Sequence, residues 1–332
     1  MNSEGAALIE RNPREADTPL TSRRPPSGLR GSLTRNESMA RHVTWRTGGL
    51  VNLAYTPADL ADLQAFLKSR PANERLYFVG LGSNLLVRDG GWHGTVVFTH
   101  RALPHLRLGE SIDASGDIIA DAGVAAPKLA RYAALHDLVG AEFFAGIPGT
   151  VGGALAMNAG CYGSETWQAA VSVTTIDRTG TVRTRLPGDY AIGYRSVVSR
   201  HPASEEWFIG ATFRFARGVG AQSRLLMKEF LKRRIASQPL GRPNAGSVFR
   251  NPPNDYAARL IEACGLKGKR IGGAAISEKH ANFIINTGEA KAADIEALIA
   301  LARDTVRARF AITLETEVRI IGEPMTAEGT RT

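Results

Sequence analysis

Apolar positions recur along the chain in two rhythms. Short alternating or continuous apolar runs, which read as strands, trade places with segments whose apolar residues fall three and four apart, which read as helices. Leu50 to Tyr55, Leu76 to Val79, Val96 to Thr99, Ile118 to Ala120 and Val171 to Asp177 are strand-like. Asp59 to Lys68 sets Leu60, Leu63 and Leu67 on one helical face, and Pro127 to His136 reads as a second helix. A short helix is expected between Leu29 and Met39. A helix over Gln222 to Ala236 stops at Gln238-Pro239, which reads as the entry to a C-terminal domain. That domain carries helix Tyr256 to Cys264, strand Phe283 to Asn286, an amphipathic helix from about Ala292 to Phe310 and a closing strand Ile312 to Ile321. In the closing strand, alternation sets Glu315, Glu317 and Arg319 on one face and Leu314, Val318 and Ile320 on the other. No internal repeat is present.

A chain of 332 residues is too long for one simple core and implies two or three packed domains. Residues 1–27 hold Pro13, Pro19, Pro25 and Pro26 with several Arg and Ser, and read as a disordered tail. Cys161 and Cys264 are too few for a disulfide framework and lack metal-ligand spacing, so two reduced thiols are expected. No stretch approaches the ~20 apolar residues of a membrane span, and Glu10 and Arg11 follow Ala6 to Ile9 where a signal peptide would stay apolar. A cytoplasmic protein is expected. The net charge of +9 admits nucleic-acid binding or a pocket for an anionic small molecule. The basic residues are scattered, with Lys232-Arg233-Arg234 as the one dense run, which suits an anionic nucleotide better.

The 35 glycines are clustered. Gly80-Leu81-Gly82-Ser83-Asn84-Leu85-Leu86 and Ala145-Gly146-Ile147-Pro148-Gly149-Thr150-Val151-Gly152-Gly153-Ala154 each follow an apolar run. Without a Cβ, successive backbone N–H groups can converge on an anion, and two such loops suit a diphosphate. Leu85 stands where a Rossmann fingerprint needs its third Gly, and neither loop ends in the Gly-Lys-Ser/Thr of a Walker sequence. The seven histidines, His42, His93, His100, His105, His136, His201 and His280, lack ligand spacing, so no metal site is expected. Three further segments carry candidate chemistry: Tyr194-Arg195-Ser196, Gly246-Ser247-Val248-Phe249-Arg250-Asn251-Pro252 and Thr313 to Arg319. Read singly, they are more simply a salt-bridging Arg, a turn Ser and a solvated strand face; spacing alone does not join them.

Taken in order, however, Thr44-Trp45-Arg46-Thr47-Gly48-Gly49, the two glycine loops, Gly193-Tyr194-Arg195, Gly246 to Pro252 and Glu317-Val318-Arg319 resemble the UDP-N-acetylenolpyruvoylglucosamine reductases over about residues 28–322. The resemblance implies an α+β fold: a two-subdomain FAD-binding region of the vanillyl-alcohol-oxidase (PCMH) type over 28–217, divided near residue 100, then a substrate-binding domain over 218–325. It implies FAD, NADPH as reductant and a UDP-sugar enolpyruvyl ether as substrate in peptidoglycan precursor synthesis. No nucleic acid partner or membrane insertion is implied, and a monomer or weak oligomer is expected.

Position by position, the family pattern makes Ser247 the proton donor, with Arg195 and Glu317 holding the substrate carboxylate and stabilising the enolic intermediate. The same pattern makes Thr47, Gly48, Gly49, Gly80, Gly82, Ser83, Asn84, Leu85, Gly146, Ile147, Pro148, Gly149, Thr150, Gly152, Gly153 and Ala154 cofactor-binding. Tyr194, Asn251, Lys267 and His280 fall at substrate positions. His280 stands where one branch has Gln, and the interval Gly218 to Ala245 has no Tyr, so the chain resembles the shorter branch that lacks a Tyr lid. Two other readings stay open on the residues: another flavoprotein of the same superfamily, and a basic nucleic-acid-binding protein.

Overall fold

The computed structural model describes residues 28–112, 114–201 and 205–325, so the expected tail over 1–27 lies outside the described residues. The chain builds two sheet layers and a smaller C-terminal unit, each with its own apolar cluster.

The first sheet runs in the order Ser32–Ser38, Leu50–Thr56, Trp92–Phe98, Leu76–Val79. Its first pair is antiparallel and the others are parallel. Helix Leu60–Lys68 returns the chain between parallel strands and buries Leu63, Phe66 and Leu67 against Tyr55. Asp59 caps that helix by accepting from the Asp62 N–H at 2.9 Å. Asp62 is itself buried, and it accepts from the Tyr55 hydroxyl at 2.6 Å and the Arg30 N–H at 2.8 Å. Those bonds offset the cost of withdrawing a carboxylate from water.

The expected helix between Leu29 and Met39 is instead the strand Ser32–Ser38, followed by a single 3-10 turn over Met39–Arg41. Its residues pair from Ser32↔Thr56 to Ser38↔Leu50, and this ladder overrides the weak local preference of a Ser-, Arg- and Asn-containing segment.

The second sheet is antiparallel, in the order Val182–Arg185, Ala170–Asp177, Glu206–Arg217, Ser115–Asp121, Leu106–Ile112. Its central strand, Glu206–Arg217, buries Ile209, Ala211, Phe213 and Phe215, with the less buried Thr212 and the exposed Arg214 between them. Helix Ala126–Leu135 covers one face through Leu129, Ala130 and Ala133. The short helix Val151–Ala156, entered from the second glycine loop, joins the same cluster.

The C-terminal unit packs a three-stranded sheet of Arg270–Ile271, Ala274–Ile276 and Ile284–Asn286 against helices Ala257–Ala263 and Ala292–Phe310. Trp45 and Leu86, from the first subdomain, are fully buried in this cluster. The Trp45 indole donates to the Ile284 carbonyl at 2.8 Å, and the Asn286 amide returns a bond to the Trp45 carbonyl at 2.9 Å. Asp89 accepts from the N–H groups of Ala292 and Ala293, both at 2.9 Å, capping the long helix from a distant part of the chain.

The closing strand is shorter than the alternation suggests. Only Arg319–Ile321 forms a ladder, parallel to Leu85–Val87, while Leu314 to Val318 leaves that ladder and touches Phe249 through a single bridge at Thr316. Leu314 and Val318 are buried as expected, but the Glu315 side chain is 75% exposed. Among the described residues, no helix is long and apolar enough to cross a membrane.

Asp89→Ala is expected to lower stability by about 1 kcal/mol, the usual value of a helix cap. The midpoint of urea unfolding reads it, and an unchanged midpoint would show the cap to be idle.

Candidate active site

Two connected chambers lie where the three units meet. The larger, of about 340 Å³, is walled by both glycine loops and by Arg195, Ser247 and Glu317. The second, of about 330 Å³, shares Ser83, Pro148, Arg234 and Gly246 with the first and opens toward Thr44, Arg46 and Arg242.

The two loops touch. A Cβ on Gly80 would collide with the Thr150 side chain, and one on Gly149 would lie 3.2 Å from the Ser83 hydroxyl. Most amides of the second loop are used within the fold: Val151 donates to Val124, Gly152 to Ala122 and Ala154 to Thr150. The N–H groups of Gly82 and Ser83 in the first loop have no acceptor among the described residues. Paired donors left without an acceptor beside a cavity suit an anion that brings its own oxygens. A Cβ on Gly153 would come near only the Thr150 hydroxyl, at 3.8 Å, so this wall keeps space that a side chain would fill.

Arg195 comes from the tip of the hairpin Tyr190–Gly193 and Ser196–Ser199, in a left-handed conformation with φ 52°. Its Nε donates to Glu317 Oε1 at 3.2 Å, its Nη2 to the Gly160 carbonyl at 2.6 Å and its Nη1 to the Asn158 carbonyl at 3.3 Å. Glu317 arrives through backbone pairing: its N–H donates to the Val248 carbonyl at 2.8 Å, which sets it beside the segment that carries Ser247. The Asn84 amide donates to the Glu317 carbonyl at 3.1 Å, tying the first glycine loop to the acid. Arg250 reaches back to donate to the Arg195 carbonyl at 3.0 Å.

The Glu317 side chain is 14% exposed. Burial pushes its carboxyl above the usual range, although the charge and hydrogen bond of Arg195 pull the other way, with Arg250 adding to that pull. Arg234 is half-buried against Gln238, which takes its Nε–H at 2.9 Å, and burial pulls its guanidinium below the usual value. Cys161, also on the wall, donates to the Phe143 carbonyl and is pushed up to about 11 by burial, so it is a thiol rather than a nucleophile at neutral pH.

Gly80, Gly82, Ser83, Asn84, Leu85, Gly146, Ile147, Pro148, Gly149, Thr150, Gly153 and Ala154 line the large chamber together with Arg195, Ser247 and Glu317. Thr47, Gly48, Gly49 and Gly152 do not line it. Thr47 donates to the Ala290 carbonyl at 2.5 Å, and Gly48 and Gly49 pack on the backbone of Val87 to Gly91. Gly152 packs against Ala122. Of the four substrate positions, none lies on the wall. Tyr194 is exposed beneath the Arg195 guanidinium, 4.9 Å from its ring, and Asn251 caps helix Ala257–Ala263 through Ala257 N–H at 3.1 Å. Lys267 pairs with Glu262 at 2.7 Å. His280 stands edge-on behind the wall residue Phe283 at 4.7 Å, and burial, then Lys267, lowers its pKa. Sequence reasoning passed over Arg234 and Phe283 on the wall and gave Arg319, named within a candidate segment, no role; the dense basic run Lys232 to Arg234 was the available signal for the first.

Residues 51–185 match the family model for an FAD binding domain, and residues 238–321 match that for the C-terminal domain of UDP-N-acetylenolpyruvoylglucosamine reductase. A UDP-N-acetylenolpyruvoylglucosamine reductase of Thiobacillus denitrificans is 58% identical over 304 residues, covering 89% of this chain and 94% of its own. The chain belongs to the UDP-N-acetylenolpyruvoylglucosamine reductase family. Within that family, the protein of the same name from Nitrosospira multiformis is 54% identical over 91% of this chain and 92% of its own length. The crystal structure of UDP-N-acetylenolpyruvylglucosamine reductase from Thermus caldophilus superposes with a TM-score of 0.71 at 29% identity, covering 88% of this chain and 99% of that one. The fold is therefore the α+β FAD-binding architecture with the family's C-terminal domain. The unpaired amides of Gly82 and Ser83 and the open wall at Gly153 fit the diphosphate of that cofactor.

The raised Glu317 has a consequence for stability. A carboxyl whose folded pKa exceeds its unfolded value favours the fold below the unfolded pKa, and that contribution is lost as pH rises through the folded pKa. Glu317→Gln does not ionise, so its thermal stability relative to wild type should improve steadily as pH climbs from about 4. A difference that stays flat between pH 4 and 8 would show that Arg195 fully compensates the burial.

Proposed function

We propose that the protein reduces UDP-N-acetyl-3-O-(1-carboxyvinyl)-glucosamine to UDP-N-acetylmuramate in peptidoglycan precursor synthesis, with FAD as cofactor and NADPH as reductant. The observation that carries this reading is the Arg195–Glu317 contact of 3.2 Å, made in the chamber that also holds Ser247 and both glycine loops. A guanidinium, a buried acid and a hydroxyl beside a dinucleotide cradle are the groups that protonation and hydride addition across a conjugated C=C bond require.

The glycine loops would hold FAD, which would supply hydride chemistry toward C3 of the enolpyruvyl group with NADPH as its reductant. Arg195 binds the substrate carboxylate through its paired N–H donors and faces the negative charge that gathers on C2 and the carboxylate. Its bonds to the Gly160 and Asn158 carbonyls fix the fork before substrate arrives, so little reorganisation accompanies the reaction. Ser247 holds the proton destined for C2. A hydroxyl is a weak acid, so it serves only an enolate basic enough to take that proton. Glu317, whose carboxyl burial pushes above its usual range, serves as a hydrogen-bond donor to the enolic oxygen when it carries its proton. The half-buried Arg234 guanidinium, without a carboxylate partner in the described residues, suits an anionic nucleotide at the junction of the chambers. We infer that the segment from residue 218 onward carries the sugar nucleotide, and that the enzyme works as a cytoplasmic monomer or weak oligomer.

The purified protein should be yellow and release FAD on denaturation. Ser247→Ala should leave flavin reduction by NADPH within about twofold of wild type while slowing reoxidation by the enolpyruvyl substrate by about a hundredfold or more, the usual range for loss of an acid catalyst. Stopped-flow absorbance of the flavin separates the two half-reactions. Equal slowing of both would remove Ser247 from the proton-donor role.

A further inference from the structure

Arg195 is held by more than its own hairpin. The hairpin exposes Ile192, Tyr194 and Val198 and so has little apolar packing of its own to fix its tip. The left-handed φ of 52° at Arg195 is also unfavourable for a residue with a Cβ, so contacts from elsewhere must hold it. Those contacts converge on Asn158. This residue is 1% exposed and is itself left-handed, with φ 46°. Its side-chain amide donates to Glu165 Oε2 at 2.7 Å and to the Gly193 carbonyl at 3.1 Å, and its side-chain oxygen accepts from the Trp167 N–H at 3.1 Å. Its backbone carbonyl accepts from Arg195 Nη1. One residue thus ties the start of the hairpin tip and the segment Glu165–Trp167, through its side chain, and the guanidinium, through its carbonyl, to a single point.

Glu165 stands behind this arrangement with both oxygens engaged in different ways. Oε2 holds the Asn158 amide, and Oε1 lies 3.9 Å from Arg195 Nη1. Arg195 therefore has two carboxylates near it: Glu317 on the chamber wall, and Glu165 on the far side, off the chamber wall. Glu165 thus flanks the guanidinium from off the chamber wall, and that contact does not depend on a substrate carboxylate being present.

We propose that Asn158 and Glu165 form a positioning pair for Arg195, fixing the direction of its guanidinium toward the substrate carboxylate without touching substrate themselves. The proposal rests on the reading that Arg195 binds that carboxylate. A displaced fork misses the developing charge, and a shift of about 1 Å in a positioned group costs on the order of a hundredfold in rate.

The test uses the holoenzyme, full chain, with FAD bound. Glu165→Ala removes both the acceptor for Asn158 and the charge near Arg195; Glu165→Gln keeps an oxygen that can accept from Asn158 and removes the charge. In Glu165→Ala, reoxidation of the reduced flavin by the enolpyruvyl substrate is expected to slow by about ten- to a hundredfold, with reduction by NADPH within about twofold of wild type. Glu165→Gln should recover part of the lost rate. The flavin absorbance change on titration with UDP-N-acetylmuramate should weaken in parallel, showing the loss in binding as well as in turnover. Arg195→Lys serves as the control on the underlying reading. If it slows reoxidation and Glu165→Ala does not, the positioning pair is overturned and the role of Arg195 stands. If neither variant affects reoxidation, the role of Arg195 falls and the pair with it. Equal slowing of both half-reactions in Glu165→Ala, or loss of flavin, would mark Glu165 as a purely structural residue and also overturn the proposal.

Discussion

The parallel pairing of Arg319–Ile321 with Leu85–Val87 is the constraint on which the site depends. It begins where the first glycine loop ends, with Arg319 N–H donating to the Asn84 carbonyl at 2.9 Å. The register Arg319↔Leu85 seats Arg319 on the chamber. Just before that ladder begins, the Glu317 N–H donates to the Val248 carbonyl at 2.8 Å, which leaves Glu317 on the chamber wall and Val318 buried. A slip of one residue would bury a guanidinium and expose a valine. The seam made by Trp45, Thr47 and Asn286 holds the same two parts of the chain together from the other side. Binding loop and acid are thus placed by one ladder, the bond from Glu317 to Val248 and one buried indole, not by the local sequence of either.

The electrostatics of the chamber follow from burial more than from charge count. Arg195, Arg234 and Arg319 border it, and Glu317 is the one carboxylate on its wall among the described residues. Simple attraction would lower the Glu317 pKa, yet the net direction is upward, because removing the ionised form from water outweighs two nearby guanidiniums. The two influences on Glu317 are opposed, burial favouring its protonated form and Arg195 its ionised one, and an anionic group that engages Arg195 would weaken the pull toward ionisation.

Elements with strong local periodicity were legible in the sequence. The helix Ala292–Phe310 was read to the residue, and Leu60–Lys68 and Ala126–Leu135 to within about one residue, since their apolar stripes face one core each; Gly220–Ser237 was read to within two residues without such a stripe, because Leu225, Leu226, Leu231 and Ile235 are exposed. Strands decided by pairing were not. Ser32–Ser38 has few apolar residues, and the hairpin around Arg195 is mostly solvent-exposed, so neither leaves a periodic trace. Glu206–Arg217 did leave one, in Ile209, Ala211, Phe213 and Phe215, and it was passed over. At the site, the glycine loops announced themselves through composition. Asn158 and Glu165 could not, because an Asn in a small-residue segment acquires meaning only from partners brought to it by folding. Thr47 to Gly49 show the reverse case: a glycine pair next to the binding region whose missing Cβ atoms serve chain packing.

The cap that Asp89 provides spans 203 residues of sequence, and the bond from Asn84 to Glu317 spans 233. A ribosome making this chain releases the glycine loops long before their last partners exist. The nascent first half can collapse around its own sheets, but its dinucleotide cradle stays open on one side until the final strand emerges and docks. Completion of the catalytic centre is therefore tied to completion of the polypeptide, and a prematurely terminated product would keep the cradle while lacking the acid.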